Sequence, residues 1–314
     1  MNVSDLTFAQ FADRLANGGV TIRSGPFVSR ISTSLPELAE PLYLLYADFP
    51  VENQGIIDFH VHLRPVPGLV GRARRQVEFL FDGGRPFRLF PRRMALPMLE
   101  WGLNWCIYRH AHQFLILHAA VVERNGRALL LPGLPGTGKS TLCAALVSRG
   151  WRLLSDELTL IRPQDGRLLP VARAISLKNE SIEVIRRFAP DAVFGPEVRD
   201  THKGTVAHIR PPTDSVRRAH EPTAPAWIVF PTFETGGQTQ LTPLAKARGF
   251  LRVANDSLNY PMLGEAGFRM VCNLIDTCAC YEFTYSSIDE AVTLLGDLRE
   301  PEPLSTADEA DRHL

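Results

Sequence analysis

An α/β domain preceded by a small, mostly β unit is the fold that the sequence predicts. A strand, a glycine loop and a helix follow one another at 128–149. From residue 114 onward, apolar strand-like runs alternate with amphipathic helical stretches. Before residue 91 the apolar runs are short and separated by Gly/Pro/Asp clusters. At about 150 residues per domain, 314 residues allow roughly two units. The boundaries read as 1–90 for the N-terminal unit, 91–300 for the α/β domain, and 301–314 for a polar, frayed tail.

The chain opens on an amphipathic helix over 7–17. Short runs at 20–22, 42–46, 56–63 and 76–81 follow as strands of the small β unit, separated by segments such as Pro65-Val66-Pro67-Gly68 and Asp82-Gly83-Gly84. Within this unit, Asp58-Phe59-His60-Val61-His62-Leu63-Arg64-Pro65 resembles the first metal motif of cyclic amidohydrolases. Residues two apart on a strand share a face, so His60 and His62 could ligate one metal. That fold draws its other ligands from later barrel strands, whereas here a glycine loop begins about seventy residues on, so His60 and His62 read as sheet residues. Arg72-Ala73-Arg74-Arg75 reads as a solvated loop rather than a nucleic-acid patch.

Residues 96–110 form a linking helix. Two strands then flank Arg124-Asn125-Gly126-Arg127, whose Asn-Gly pair is a hairpin signal. The loop that follows, Gly133-Leu134-Pro135-Gly136-Thr137-Gly138-Lys139-Ser140-Thr141, carries the full G-x-x-x-x-G-K-S pattern between an apolar strand and a helix. Its glycines let successive N–H groups converge on phosphate oxygens, and the helix N-terminus adds partial positive charge there. Gly133, Gly136, Thr137, Gly138, Lys139, Ser140 and Thr141 are therefore the candidate nucleotide-binding residues. Lys139 is placed to reach the β- and γ-phosphates and Ser140 to ligate Mg²⁺. The plainer reading, a fortuitous glycine turn, ignores the agreement of strand, loop and helix. The chain has 34 Lys plus Arg, yet only Lys139, Lys178, Lys203 and Lys246 are lysines, so a compact ammonium at 139 is an unusual choice.

The helix from 140 to 149 ends at Gly150, and a strand returns over 151–161. Ten helical residues run about 15 Å away from the loop, and five extended residues come back about 16 Å. Asp156 and Glu157 are thus returned to the level of the phosphates. An acid after an apolar strand suits a Walker-B role at the metal, so Ser140, Asp156 and Glu157 are the candidate metal ligands. One acid could instead accept the proton of an attacking hydroxyl, and the bland alternative is a pair capping a strand end.

This order of elements resembles the HPr kinase/phosphorylase group, which includes phosphoenolpyruvate carboxykinase-like kinases. There a strand carrying His leads to a hairpin, the phosphate loop, a helix and Arg-Gly-x-Arg-Leu-x-x-Asp. This chain reads Leu117-His118, the loop, then Arg149-Gly150-Trp151-Arg152-Leu153-Leu154-Ser155-Asp156. The match is close over 115–162 and loose to about 300, and it looks like the divergent HPr kinase-related branch. The resemblance implies a P-loop kinase domain with a mixed sheet, Asp156 as catalytic base, His118 beside it, and Glu157 as the acid that follows the base. No downstream signature of the phosphorylase reaction is recognisable. Residues 1–90 show no match, so the group's hexameric assembly is not implied.

Downstream, Lys178 and the segment Asp200-Thr201-His202-Lys203-Gly204-Thr205 carry two more lysines. Lys203, with His202 and Arg210, is a candidate to stabilise the transferred phosphoryl group or bind the acceptor, against the alternative of a solvated loop. Segment 190–225, rich in Pro, Gly and charge, reads as a long loop region. Helices are expected at 180–188, 246–253, 265–277 and 288–297, with strands at 226–230 and 280–285.

Composition bounds the function. Apolar residues are 45% and charged residues 22%, ordinary for a globular protein. Lys plus Arg balances Asp plus Glu at 34 each, so no global field draws the chain to nucleic acid or a membrane surface. The longest apolar stretch, 114–122, is interrupted by His118 and falls short of the ~20 residues of a span. No signal peptide is visible. Five cysteines make no disulfide framework, and Cys278 and Cys280 read as buried thiols. The expectation is a cytoplasmic, ATP- and Mg²⁺-dependent kinase. Its acceptor would be a hydroxyl of a protein, a peptide or a small metabolite, and a homo-oligomer is compatible with it. A nucleotide-gated interaction protein and a plain P-loop ATPase are the alternatives.

Overall fold

A computed structural model describes residues 1–299; the tail from 301 lies outside the described residues. The chain begins with helix α1 (Phe8–Ala16), fixed by a reciprocal cap. The Gln10 N–H donates to Thr7 Oγ1 at 3.2 Å, and the Thr7 N–H donates to Gln10 Oε1 at 2.9 Å. Its Phe11 and Leu15, one turn apart, face the core. A five-stranded sheet follows in the order β1 (Val20–Ser24), β2 (Phe27–Thr33), β3 (Phe59–Pro65), β4 (Gln76–Phe81), β5 (Phe90–Pro91), antiparallel except for β2–β3.

The expected strand at 42–46 is a correction. Helix α2 (Ala39–Leu45) occupies it, because Ala39, Leu42, Leu45 and Tyr46 recur at helical spacing on the buried face. Strand β3 alternates cleanly: Phe59, Val61 and Leu63 are buried, while His60 and His62 share the outer face. The His62 ring hydrogen-bonds the Ser32 hydroxyl at 2.8 Å. Helix α3 (Leu69–Ala73) leads into β4.

Helix α4 (Ala95–His110) packs across β3 and β4 through Leu96, Leu99, Leu103 and Ile107. It approaches closely at Gly102, where a Cβ would lie 2.2 Å from the Phe79 ring. The apolar core of the first hundred residues extends into the second unit, taking in Ile116, Leu158, Leu160 and Val171.

The second unit is built on a mixed eight-stranded sheet. Strands β6 (Leu115–Arg124) and β7 (Arg127–Pro132) form the expected hairpin, with Asn125 and Gly126 both at positive φ (55° and 77°). Helix α5 (Lys139–Ser148) follows β7, then β8 (Arg152–Ser155), β9 (Leu158–Ile161) and β10 (Leu168–Leu169). After them come β11 (Ile175–Lys178), α6 (Glu180–Phe188), β12 (Val198–Thr201), β13 (Gly204–Ile209) and α7 (Thr213–Arg217). The chain closes with β14 (Ala224–Phe233), β15 (Gln240–Pro243), α8 (Lys246–Asn255), α9 (Tyr260–Thr277), β16 (Ala279–Tyr285) and α10 (Ile288–Gly296).

The large sheet runs β10-β9-β6-β7-β14-β16-β15, with β8 also paired to β6. The central strands β7, β14 and β16 are parallel to one another. Strands β6 and β7 are apolar on both faces because both faces are covered. Leu129, Leu131, Ala120 and Val122 meet Leu142, Leu146, Ala291 and Leu295 on one side. Leu117, Ala119, Val121 and Leu130 meet Val253, Val271 and Leu274 on the other.

Two further expectations are corrected here. The single strand at 151–161 is two strands along β6: the β8 register shifts between Leu153 and Ser155, Ser155 stands opposite Val121 and Leu158 opposite His118, and Asp156 and Glu157 stand out of the ladder between them. Segment 190–225 is not a long loop. Strands β12 and β13 join β11 in a three-stranded sheet, and α7 follows; the apolar run Val206, Ala207, Ile209 supplies buried anchors that the surrounding Pro, Gly and charge obscured. All five cysteines are free. No helix among the described residues is long and apolar enough to cross a membrane.

Candidate functional site

The glycine loop leaves the end of β7 and turns into α5 through three glycines at positive φ: Gly133 (145°), Gly136 (93°) and Gly138 (93°). Gly138 is also pinned from outside. Tyr285 donates its hydroxyl to the Gly138 carbonyl at 3.1 Å, and a Cβ at 138 would fall 2.2 Å from that hydroxyl oxygen. Gly138→Ala is therefore expected to strain the loop by on the order of 1–3 kcal/mol and weaken nucleotide binding with the fold intact. Titration calorimetry beside far-UV circular dichroism checks this, and wild-type affinity would contradict it.

Thr137 donates its hydroxyl to the Leu134 carbonyl at 3.0 Å. The buried Lys139 ammonium lies across the loop, donating to the carbonyls of Gly133 and Leu134. Burial lowers its pKa, and the charges of Asp156 and Asp256 oppose that.

Strand β8 delivers Asp156 to the same place. One carboxyl oxygen, Oδ2, accepts the Ser176 N–H of β11 at 2.9 Å; the other, Oδ1, is buried with no hydrogen-bond partner. Burial, then the adjacent Glu157 charge, raise the pKa of Asp156 to about 6, against the pull of the Ser176 N–H, the Ser140 hydroxyl and Lys178. Glu157 goes the other way. Burial raises its pKa, but Lys178, Lys203, His118 and Arg173 together outweigh that and lower it. Asn104 of α4 fixes the Glu157 carboxylate, donating to Oε2 at 2.6 Å. Two neighbouring acids are thus driven apart, the arrangement in which one can exchange protons while the other stays charged. His118 sits in β6 opposite Leu158; burial and Lys139 lower its pKa, which favours the neutral imidazole. Lys203 comes from the β12–β13 turn and lies 4.5 Å from the centre of the Trp101 ring of α4. Loss of hydration lowers its pKa, while Glu157 holds it up.

One cavity of about 470 Å³ is lined by His118, Gly136, Gly138, Lys139, Ser140, Thr141, Asp156, Glu157, Ser176, Lys178 and Lys203, among others. The candidate residues spread over nearly ninety positions of sequence are therefore brought together. His202 and Arg210 are not. His202 packs edge-on against Trp101, 4.8 Å between ring centres. Arg210 is a correction: it is bound to Asp48 of the N-terminal unit at 2.5 Å, held there because Asp48 also accepts from Thr213.

Several contributors have no signature in the sequence. Ser176 acts on Asp156 through its backbone N–H, and Trp101 and Asn104 come from a helix that shows no motif. Behind Asp156, Glu157 and Ser176 lies a small chamber also lined by Glu100, Asn104, Arg173 and His208. Buried polar atoms around it, Asp156 Oδ1, Ser176 Oγ, Arg173 Nη1 and both ring nitrogens of His208, have no hydrogen-bond partner. On the other side of the loop a groove of about 630 Å³ runs from Gly136 and Thr141 to Arg149, Phe188, Phe233 and Tyr285, with the Arg149 guanidinium 4.1 Å from the centre of the Phe188 ring. Among the described residues no cluster of three or more His, Cys, Asp or Glu side chains could hold a metal by itself.

Comparison with known proteins finds one family model over the region of the loop and partial similarity to known kinases. The family described as SynChlorMet cassette protein ScmC matches residues 91–181. Two HPr kinase/phosphorylases from Clostridium botulinum, strains Eklund 17B and Alaska E43, are each 36% identical over 61 residues, 19% of this chain. The chain spans about a fifth of the length of these curated relatives. The structure of the Hpr(Ser) kinase/phosphatase from Coxiella burnetii aligns with 57% of this chain and 90% of that one, at 12% identity and a TM-score of 0.27. Over 61 residues this α/β chain is similar to the HPr kinase/phosphorylases, in keeping with a divergent HPr kinase-related protein.

Proposed function

We propose that the chain is an ATP- and Mg²⁺-dependent kinase that transfers the γ-phosphoryl group to a hydroxyl acceptor. The observation that carries this reading is the single cavity in which Lys139 and the loop's amides meet Asp156, Glu157, Lys178 and Lys203. In this reading the converging N–H groups and Lys139 hold the triphosphate, and the groove past Thr141 takes the nucleoside. Asp156, with a carboxyl oxygen left without a partner and a pKa near 6, accepts the proton of the acceptor hydroxyl. Lys178 and Lys203 stabilise charge on the phosphoryl group in transit.

Ser140, Asp156 and Glu157 fit a Mg²⁺ ion, which takes one or two carboxylates and completes its shell with phosphate oxygens and water. Bound there, the ion would neutralise charge on the β- and γ-phosphates. His118, facing the same cavity, helps set the charge state of the acids. The five free cysteines are in keeping with work in a reducing cytoplasm.

Incubation of the chain with γ-labelled ATP and a cell lysate tests the reading. Label on an acceptor supports it; label appearing only as inorganic phosphate makes the chain an ATPase, and no turnover makes it a nucleotide-gated binder. Lys203→Ala is expected to lower transfer about 10²-fold with nucleotide affinity within about twofold. Unchanged turnover in that variant would remove Lys203 from the site.

A further inference from the structure

A second concave surface lies where the five-stranded sheet meets β12. It is a groove of about 740 Å³ whose floor includes Leu96 and whose walls carry Arg74, Arg75, Arg92 and Arg93. The two arginine pairs come from separate segments, drawn together by a bond from the Arg92 N–H to the Arg75 carbonyl at 2.8 Å. Glu37 is the acid of the groove, and Arg92 already grips it with two hydrogen bonds. Arg93 reaches only the Asp200 carbonyl, at 3.4 Å, and Arg74 and Arg75 make no ion pair among the described residues. In a chain with 34 acids against 34 basic side chains, this is a local excess of three guanidinium groups over an apolar floor.

The groove and the cavity described above share no lining residue, but helix α4 and the β12–β13 hairpin run between them. The groove opens at the first turn of α4, and Trp101, against which Lys203 lies, is six residues further along that helix, about 9 Å. The hairpin of β12 and β13 borders both. An extended peptide covers that distance in about three residues.

We propose that this groove binds an acidic segment of a peptide or protein acceptor, whose hydroxyl residue lies three to five positions away and enters the cavity past Lys203. Guanidinium groups pair with carboxylates through two parallel hydrogen bonds, and an apolar floor accepts an interspersed aliphatic side chain. A concave, partly apolar trough of this length suits a peptide better than the continuous basic stripe that nucleic acid requires. The word acceptor rests on the kinase reading; the binding of an acidic peptide does not.

The test uses the full chain and a fluorescein-labelled decapeptide with one serine followed, after three glycines, by Glu-Glu-Leu-Glu. Fluorescence anisotropy should report binding that weakens with salt and falls about tenfold or more in Arg74→Glu/Arg75→Glu and in Arg93→Glu. Binding of a fluorescent ATP analogue by these surface variants should stay at the wild-type level. Equal affinity for the variants, or for a peptide with Lys in place of Glu, overturns the proposal. So does displacement of the peptide by oligothymidine or by phosphatidylserine vesicles at lower charge concentration. With γ-labelled ATP present, a peptide that binds through the arginines but takes no label leaves the groove standing and removes the kinase reading. Equal labelling of a Glu-free serine peptide removes the groove and leaves the kinase.

Discussion

Asp156→Asn is expected to lower phosphoryl transfer by about 10²- to 10⁴-fold while leaving nucleotide affinity near that of the parent chain. The carboxyl is 5% exposed, held at one oxygen by the Ser176 N–H, and buried at the other without a partner. An amide keeps the shape and can still accept from Ser176, but it cannot take a proton.

The same substitution carries a stability signature. The pKa of Asp156 in the folded, nucleotide-free chain is about 6, above the 3.8 of an unperturbed Asp. The carboxyl therefore favours the fold most below about pH 4, and that contribution is lost as pH rises through about 6. At pH 8 the buried charge costs up to about 3 kcal/mol, two pKa units at 1.4 kcal/mol each. Asp156→Asn should accordingly raise the melting temperature by a few degrees more at pH 8 than at pH 4. A melting temperature lowered equally at both values, together with normal transfer, would remove Asp156 from the role given to it.

Arg152→Met is expected to be the most destabilising single change in the α/β domain. Arg152 of β8 and Glu123 of β6 face each other in the ladder, and both side chains are 4% exposed. Arg152 Nε donates to Glu123 Oε2 at 2.5 Å, and its other nitrogens donate to the Arg218 and Glu221 carbonyls and the Thr223 hydroxyl. Removing the cation leaves the buried Glu123 with only the Gly126 N–H at one oxygen and the more distant Arg218, 3.7 Å away, at a cost of about 3 kcal/mol or more. That corresponds to a loss on the order of 10 °C in melting temperature. The double variant Arg152→Met/Glu123→Leu should recover most of it, because no unpaired charge then remains. If the double variant is as unstable as the single, the explanation by stranded charge is wrong. The second arginine of the Arg-Gly-x-Arg-Leu-x-x-Asp stretch, Arg152, thus serves the strand that carries Asp156.

The legible part of the molecule was the part whose contacts are close in sequence. The Asn125-Gly126 turn, the glycine loop with α5, and the return of β8 to Asp156 each follow from local periodicity and element length. Helix α6 kept the expected bounds because its apolar residues Ile182 and Ile185 repeat at helical spacing ahead of Pro190. Where pairing is distant, the pattern carried no signal. Asn104 meets Glu157 across 53 positions, and Ser176 meets Asp156 across 20 through a backbone group that every residue but proline possesses. The β12–β13 hairpin hid behind glycine and charge because its anchoring partner, β11, lies upstream of an intervening helix. Arg210 looked available to the site, yet Asp48, 162 positions away, claims it.

Helix α4 belongs to both halves of the chain. One face is sunk in the core of the first ninety residues, and another presents Trp101 to Lys203 and Asn104 to Glu157. The N-terminal sheet is thus the mould in which one side of the candidate site is cast. Pruning it away would strand a greasy rod beside an acid with nothing to aim it.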